Sequence, residues 1–258
     1  MSILFKKITL RMLLLLLVVA LPIAIYIFIE DDVQLTWNIN NIKEINKYTI
    51  SVEFFSEEEK LSVVENIEYI NKNEKSTDKL FFYLNNVLTS NAKLCQDAIE
   101  EIENKAQARY KIGCIEYVRI KEKNMDYKII GKNNSVLMIK LDQRLEKDDK
   151  VIIDIKYTTI ISHLNKAANE GKASYILASW YPTAIQHDNG WQLETVYKSN
   201  ELVCGGNYFL VDIIVPESFE VQATGRLIEK LKTKRNQHYK FQDQNISNFY
   251  INIISTNK

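Results

Sequence analysis

Residues 208–225 read YFLVDIIVPESFEVQATG, a strand-like run rich in β-branched and aromatic residues, interrupted at Pro216 and closed by Gly225. Such residues fit a pleated, half-buried surface better than a helix face. The same pattern recurs upstream. YTISVEFF at 48–55 and VLMIKL at 136–141 alternate, and KVIIDIKYTTII at 150–161 is strongly β-branched. Several short strands at hairpin spacing predict a mainly β fold, an antiparallel β-sandwich or saddle. Residues 147–150 are the expected turn of one hairpin. One inserted helix is expected over residues 91–109, where Leu94, Ala98, Ile99, Ile102 and Ala106 recur at helical spacing opposite Asp97, Glu100, Glu101, Glu103 and Lys105. Ser90 or Asn91 would cap it.

Composition narrows the function classes. Lys plus Arg number 33 and Asp plus Glu 33, a net charge of +0, so no whole-molecule field draws the chain to nucleic acid. Apolar residues make up 46% of 258 positions with only 7 Gly and 3 Pro, which supplies a real core and argues against disorder.

The N-terminus reads differently. Met12 to Ile29, MLLLLLVVALPIAIYIFI, carries no charge. At about 1.5 Å per residue this stretch covers close to 27 Å, the thickness of a bilayer core. Lys6, Lys7 and Arg11 precede it and Glu30, Asp31 and Asp32 follow it, so the positive-inside rule places the N-terminus in the cytoplasm and the rest outside. The expected organisation is a cytoplasmic tail (1–11), a transmembrane signal-anchor helix (12–29), a tether (30–46) and an extracytoplasmic β domain (47–258). A cleaved signal peptide would need small residues where IYIFIEDDVQ places bulky ones. A lipoprotein would need a Cys just after the apolar run, and the first is Cys95.

Taken in order, the strand segments resemble a known family. YTISVEFFSEEEKLSVVENIEYIN, with Asn71 in its closing turn, is similar to the opening hairpin of the N-terminal domain of aminopeptidase-N-like zinc metallopeptidases. KLFFYLNNVLTSN, GCIEYVRIKEK and NSVLMIKLDQRLEKDDKVIIDIKYTTII are similar to its next strands. ILASWYPTAIQHDNGWQ resembles its Trp-Tyr-Pro and Gly-Trp segment, VPESFEVQATG its Val-Pro and Ala-Thr-Gly landmarks, and ISNFYINIIS its final strand. In that family the domain is non-catalytic, packs on a following zinc domain and helps wall the substrate cleft. The zinc domain carries H-E-x-x-H and a distal Glu, and neither it nor that motif occurs here. The family's substrate-amine residue, a Gln or Glu before the aromatic-Pro landmark, has no counterpart in KASYILASWYP.

Individual residues offer little chemistry of their own. A gluzincin site needs two His four apart on one helix face with a Glu beside the first. His163, His187 and His238 stand alone, so no metal and no cofactor is assigned, zinc entering only through a separate catalytic domain. Cys204, in ELVCGGNYF, has no base in sequence and reads as a buried residue entering a strand, with Gly205 and Gly206 permitting close backbone approach. No G-x-S-x-G elbow is present. Cys95 and Cys114 form a candidate disulfide, since an extracytoplasmic setting permits one. Trp180, Tyr181, Trp191, Tyr197 and Tyr208 compose the candidate binding or interdomain surface, with core burial of Trp180 and Tyr181 as the competing reading.

The expected function is a membrane-anchored binding or accessory domain without peptidase activity alone. Two alternatives stay open: the front half of a split or truncated membrane-bound zinc aminopeptidase, and an accessory domain of a transporter complex. The expected partners are the membrane and either a catalytic peptidase chain or a multi-span membrane protein, not nucleic acid.

Overall fold

The computed structural model describes residues 45–84, 88–89, 113–131, 135–161, 166–169, 172–178, 180–185 and 206–256. The chain divides into two compact units, 1–44 and 45–258, and every described residue belongs to the second. The expected transmembrane helix (12–29) and inserted helix (91–109) lie outside the described residues. Among the described residues all regular structure is β, and no helix is long and apolar enough to cross a membrane.

The largest sheet holds nine strands. It contains β1 (Lys47–Phe55), β2 (Lys60–Ile70), β4 (Leu88–Thr89), β5 (Gly113–Ile120), β6 (Lys123–Asn124), β9 (Lys150–Ile160), β13 (Asn207–Pro216), β15 (Arg226–Lys232) and β16 (Asn236–Ile246). Their order is β15-β16-β13-β1-β2-β9-β5-β4, with β6 beside β5. A four-stranded sheet comprises β10 (Lys166–Asn169), β11 (Lys172–Leu177), β17 (Ile251–Ser255) and β14 (Phe219–Ala223), in that order. A second runs β12 (Thr183–Ala184), β3 (Thr77–Tyr83), β8 (Val136–Leu145) and β7 (Tyr127–Ile130).

The fold is mainly β with mostly antiparallel pairing, as the alternation predicts. Two pairs depart from it. β1 runs parallel to β13, from Lys47 opposite Tyr208 to Glu53 opposite Ile214, and β4 runs parallel to β5. Local alternation reports hairpins but not a pairing between strands some 160 residues apart, so this central contact was not readable from spacing.

Period-two patterning decides which face is dry. Tyr48, Ile50, Val52 and Phe54 of β1, Leu61, Val63 and Ile67 of β2, Ile153, Ile155 and Tyr157 of β9, and Phe209, Val211, Ile213 and Val215 of β13 are all buried. Both smaller sheets share one continuous core with this face. Phe54 meets Tyr175 and Phe219 of one small sheet at 5.1 and 5.2 Å between ring centroids, and Tyr69 meets Phe82 of the other at 6.5 Å.

Turn chemistry follows the sequence. Residues 56–59 and 146–149 turn the two hairpins, each with a residue in the left-handed region, Glu59 (φ 50°) and Asp148 (φ 63°). Asn71 is buried and locks the β2–β3 turn against the β8–β9 turn. Its Nδ2 donates to the carbonyls of Lys75, Leu145 and Glu146, and its Oδ1 accepts from the Asn73 backbone N–H and side-chain amide. Gly225 has φ of 88°, and a Cβ there would lie 2.7 Å from the Gln242 carbonyl oxygen, which explains a glycine after Ala-Thr. Gly206 is required by close approach, since a Cβ would lie 2.8 Å from Asn245 Cα.

Candidate functional site

The Trp-Tyr-Pro segment sits between β11 and β12 and is built into the core. Trp180 and Tyr181 are each 2% exposed. The Trp180 indole N–H donates to the Phe249 carbonyl at 3.0 Å, and the Tyr181 hydroxyl accepts from the Phe249 backbone N–H at 3.0 Å. One residue, Phe249, is thus held at both its backbone groups. On the other side the Tyr48 hydroxyl accepts from the Ala184 N–H at 3.1 Å.

The rings themselves form a connected group. Tyr48 stacks on Phe209 at 4.9 Å and meets Tyr181 edge-on at 5.8 Å, while Tyr181 contacts Trp180 at 5.2 Å and Phe209 at 5.5 Å. Phe209 reaches Phe249 at 5.7 Å. Edge-to-face pairs of this kind add to the burial of large rings. The arrangement places these two residues in the core, in line with the competing reading of the sequence. Trp180 and Tyr181 offer no ring face to solvent, because their polar tips are spent on backbone groups that a core cannot leave unpaired.

Trp191 and Tyr197 lie outside the described residues. Tyr208 is the second residue of β13, opposite Lys47, and is partly buried, which pushes its phenol above the usual tyrosine value. Cys114, on β5, is disulfide-bonded. Both Cys95 and Cys204 lie outside the described residues, so the pairing with Cys95 stays an expectation.

A feature that sequence reading missed lies on the buried face of β2. Glu65 occupies a core-facing position of β2, is fully buried, and neither of its carboxyl oxygens has a hydrogen-bond partner among the described residues. Desolvation pushes its carboxyl well above the ordinary glutamate value. The Tyr157 hydroxyl, on the neighbouring β9, is likewise buried without a partner. Its phenol is raised first by burial and then by the Glu65 and Tyr181 groups. The signal was present in VVENIEYI, where Glu65 falls at the same parity as Leu61, Val63 and Ile67.

Zinc does not fit the described residues. Among them no group of three or more His, Cys, Asp and Glu could hold a metal. His238 lies on β16 opposite Ile214 and Leu231; His163 and His187 are outside the described residues.

No protein-family model matches the chain, and no curated protein matches it in sequence. Solved structures of M1 zinc metallopeptidases are similar to it in fold. A mutant two-domain M1 zinc metallopeptidase bound to L-tryptophan aligns with a TM-score of 0.51 at 9% identity, over 81% of this chain and 42% of that one. A mutant M1 zinc metallopeptidase from Deinococcus radiodurans bound to a Tyr-Ser-Ala substrate gives 0.50 at 9% identity, over 81% and 41%. The likeness is one of fold, and this chain spans about two fifths of the length of those proteins.

Proposed function

We propose that residues 47–258 are an extracytoplasmic binding or accessory domain, similar to the non-catalytic N-terminal domain of M1 metallopeptidases, held at the membrane by a signal-anchor helix at 12–29. The observation that carries the reading is the fold match over 81% of this chain and 42% of a two-domain M1 enzyme. The order of landmarks along the sequence supports it, since Asn71, Trp180-Tyr181-Pro182 and Gly225 each do structural work in this fold. The sequence carries no H-E-x-x-H, and among the described residues no His, Cys, Asp and Glu group could hold a metal, which accords with a binding or accessory role.

The front-half reading is kept by the same coverage figure, because 42% is the share that one domain of a two-domain enzyme would take. A separate chain bearing H-E-x-x-H that copurifies with this one and gains aminopeptidase activity in its presence would decide for it. The membrane reading is tested by protease added to right-side-out vesicles. Digestion of the β domain with the short N-terminal tail protected is expected, and protection of the β domain overturns it.

A further inference from the structure

The β15–β16 hairpin departs from the rest of the surface. Every residue of β15, RLIEKLK, is exposed, and so are Thr233, Lys234 and Arg235 of the turn that follows. Seven large apolar residues are exposed among the described residues. Leu227 (45%), Ile228 (41%) and Leu231 (55%) belong to this one strand. A fourth, Tyr250, is bonded to Thr224 just before it, accepting from the Thr224 N–H at 3.0 Å and donating its own N–H to the Thr224 hydroxyl at 2.9 Å.

Charge is concentrated in the same place. Residues 226–235 contain Arg226, Lys230, Lys232, Lys234 and Arg235 against Glu229 alone, five minus one giving +4 in a chain of net charge +0. Lys232 is paired to Glu217 at 2.9 Å and Lys230 lies over the Tyr239 ring at 4.8 Å. Arg226, Lys234 and Arg235 make no ion pair with the described residues.

Register shows how these groups are set. Leu227, Lys230 and Lys232 stand opposite Phe241, Tyr239 and Gln237 and share the core side of the sheet; Arg226, Glu229 and Leu231 stand opposite Gln242, Lys240 and His238 and share the other. One side of the edge therefore carries Leu227 with Lys230 and Lys232, the other Leu231 with Arg226 and Glu229, and no described strand pairs with the outer side of β15. Lysines on an edge strand commonly deter strand pairing. That accounts for the cations but not for exposed aliphatics among them.

We propose that this hairpin is a membrane-contact edge that seats on an anionic lipid surface. Interleaved Lys, Arg, aliphatic and Tyr side chains are the composition that binds charged headgroups while burying apolar tips at the acyl boundary. A second copy fits less well, since two +4 edges repel, and a nucleic acid leaves the aliphatic groups unused. The inference rests on the membrane-anchored reading of the chain. Its geometry is compatible with that reading: the domain begins at Ile45 and Asn46, at the Arg226 end of the sheet, because Lys47 aligns with Tyr208, Tyr208 with Gln244, and Gln242 with Arg226.

The test is hydrogen exchange on the full chain in nanodiscs of phosphatidylcholine alone and of phosphatidylcholine with phosphatidylglycerol. Amides of 226–235 are expected to exchange several-fold more slowly in the anionic discs. The effect is expected to vanish in about 0.5 M salt and in the triple variant Lys230→Glu/Lys234→Glu/Arg235→Glu, whose β1 and β2 amides serve as the control for folding. Equal exchange in both discs overturns the proposal, as does protection that survives the triple variant. Protection that appears without lipid as protein concentration rises assigns the edge to a second copy and also overturns it. A chain that fails to enter either disc would instead refute the anchor.

Discussion

Glu65 and Tyr157 are diagonal neighbours on the buried face of the central sheet: Glu65 stands opposite Ile155 and Tyr157 opposite Val63, and neither polar group has a hydrogen-bond partner among the described residues. Diagonal pairs in antiparallel strands lie about 7–8 Å apart, within reach of long side chains. Two orphaned polar groups at one place in a core are a net cost to folding.

Burial raises the Glu65 carboxyl well above the ordinary glutamate value, so between the unfolded and the folded pKa the folded domain favours the protonated form that the unfolded chain would lose. With the folded pKa raised above the unfolded value, stability is greatest below the ordinary glutamate range and falls as pH rises toward the folded pKa, at about 1.4 kcal/mol per unit for one proton. Glu65→Gln is expected to remove this slope, and Glu65→Met to add about 1–3 kcal/mol at neutral pH. Urea unfolding at several pH values between 5 and 8, compared with wild type, checks both. A wild-type curve that runs parallel to the Gln variant contradicts the assignment.

Trp180 joins the Trp-Tyr-Pro segment to Phe249. Trp180→Ala is expected to cost about 3–5 kcal/mol through the cavity and the lost bond, and Trp180→Phe less. Chemical denaturation measures the difference. An Ala variant as stable as wild type would return Trp180 to the role of a surface residue.

These two sites show what a sequence can and cannot display. Alternation in YTISVEFF set the buried parity of β1 correctly, because a one-residue slip would turn its whole apolar set outward. The turns and glycines were legible for the same reason, being local. The place of Trp180 and Tyr181 was not, since an aromatic beside a proline suits both a core and a recognition surface until its polar tip finds a partner. The parallel β1–β13 contact joins distant segments and left no periodic trace. Glu65 was hidden by its type: a charged residue in a strand is read as solvated.

Asn71 provides a check on the fold's landmarks. Asn71→Ala removes three donated and two accepted bonds at a buried position. A loss of about 2–5 kcal/mol is expected, with Asn73→Ala far milder. Comparable melting temperatures for the two variants would contradict the clamp.

The disulfide at Cys114 has an expected partner in Cys95. Peptide mapping without reductant should recover these two in one linked fragment, with Cys204 alkylated. A loop of about twenty residues would contribute about 3 kcal/mol, lost on reduction. A Cys114–Cys204 fragment would refute the pairing.

The central proposal is that this β domain, whose fold is similar to part of M1 zinc metallopeptidases, binds a partner and holds no zinc of its own. The direct measurement loads the purified full chain with zinc and records bound metal together with hydrolysis of aminoacyl arylamides. The account predicts no stoichiometric zinc and no turnover above buffer. One zinc per chain, with hydrolysis that a chelator abolishes and zinc restores, would contradict it.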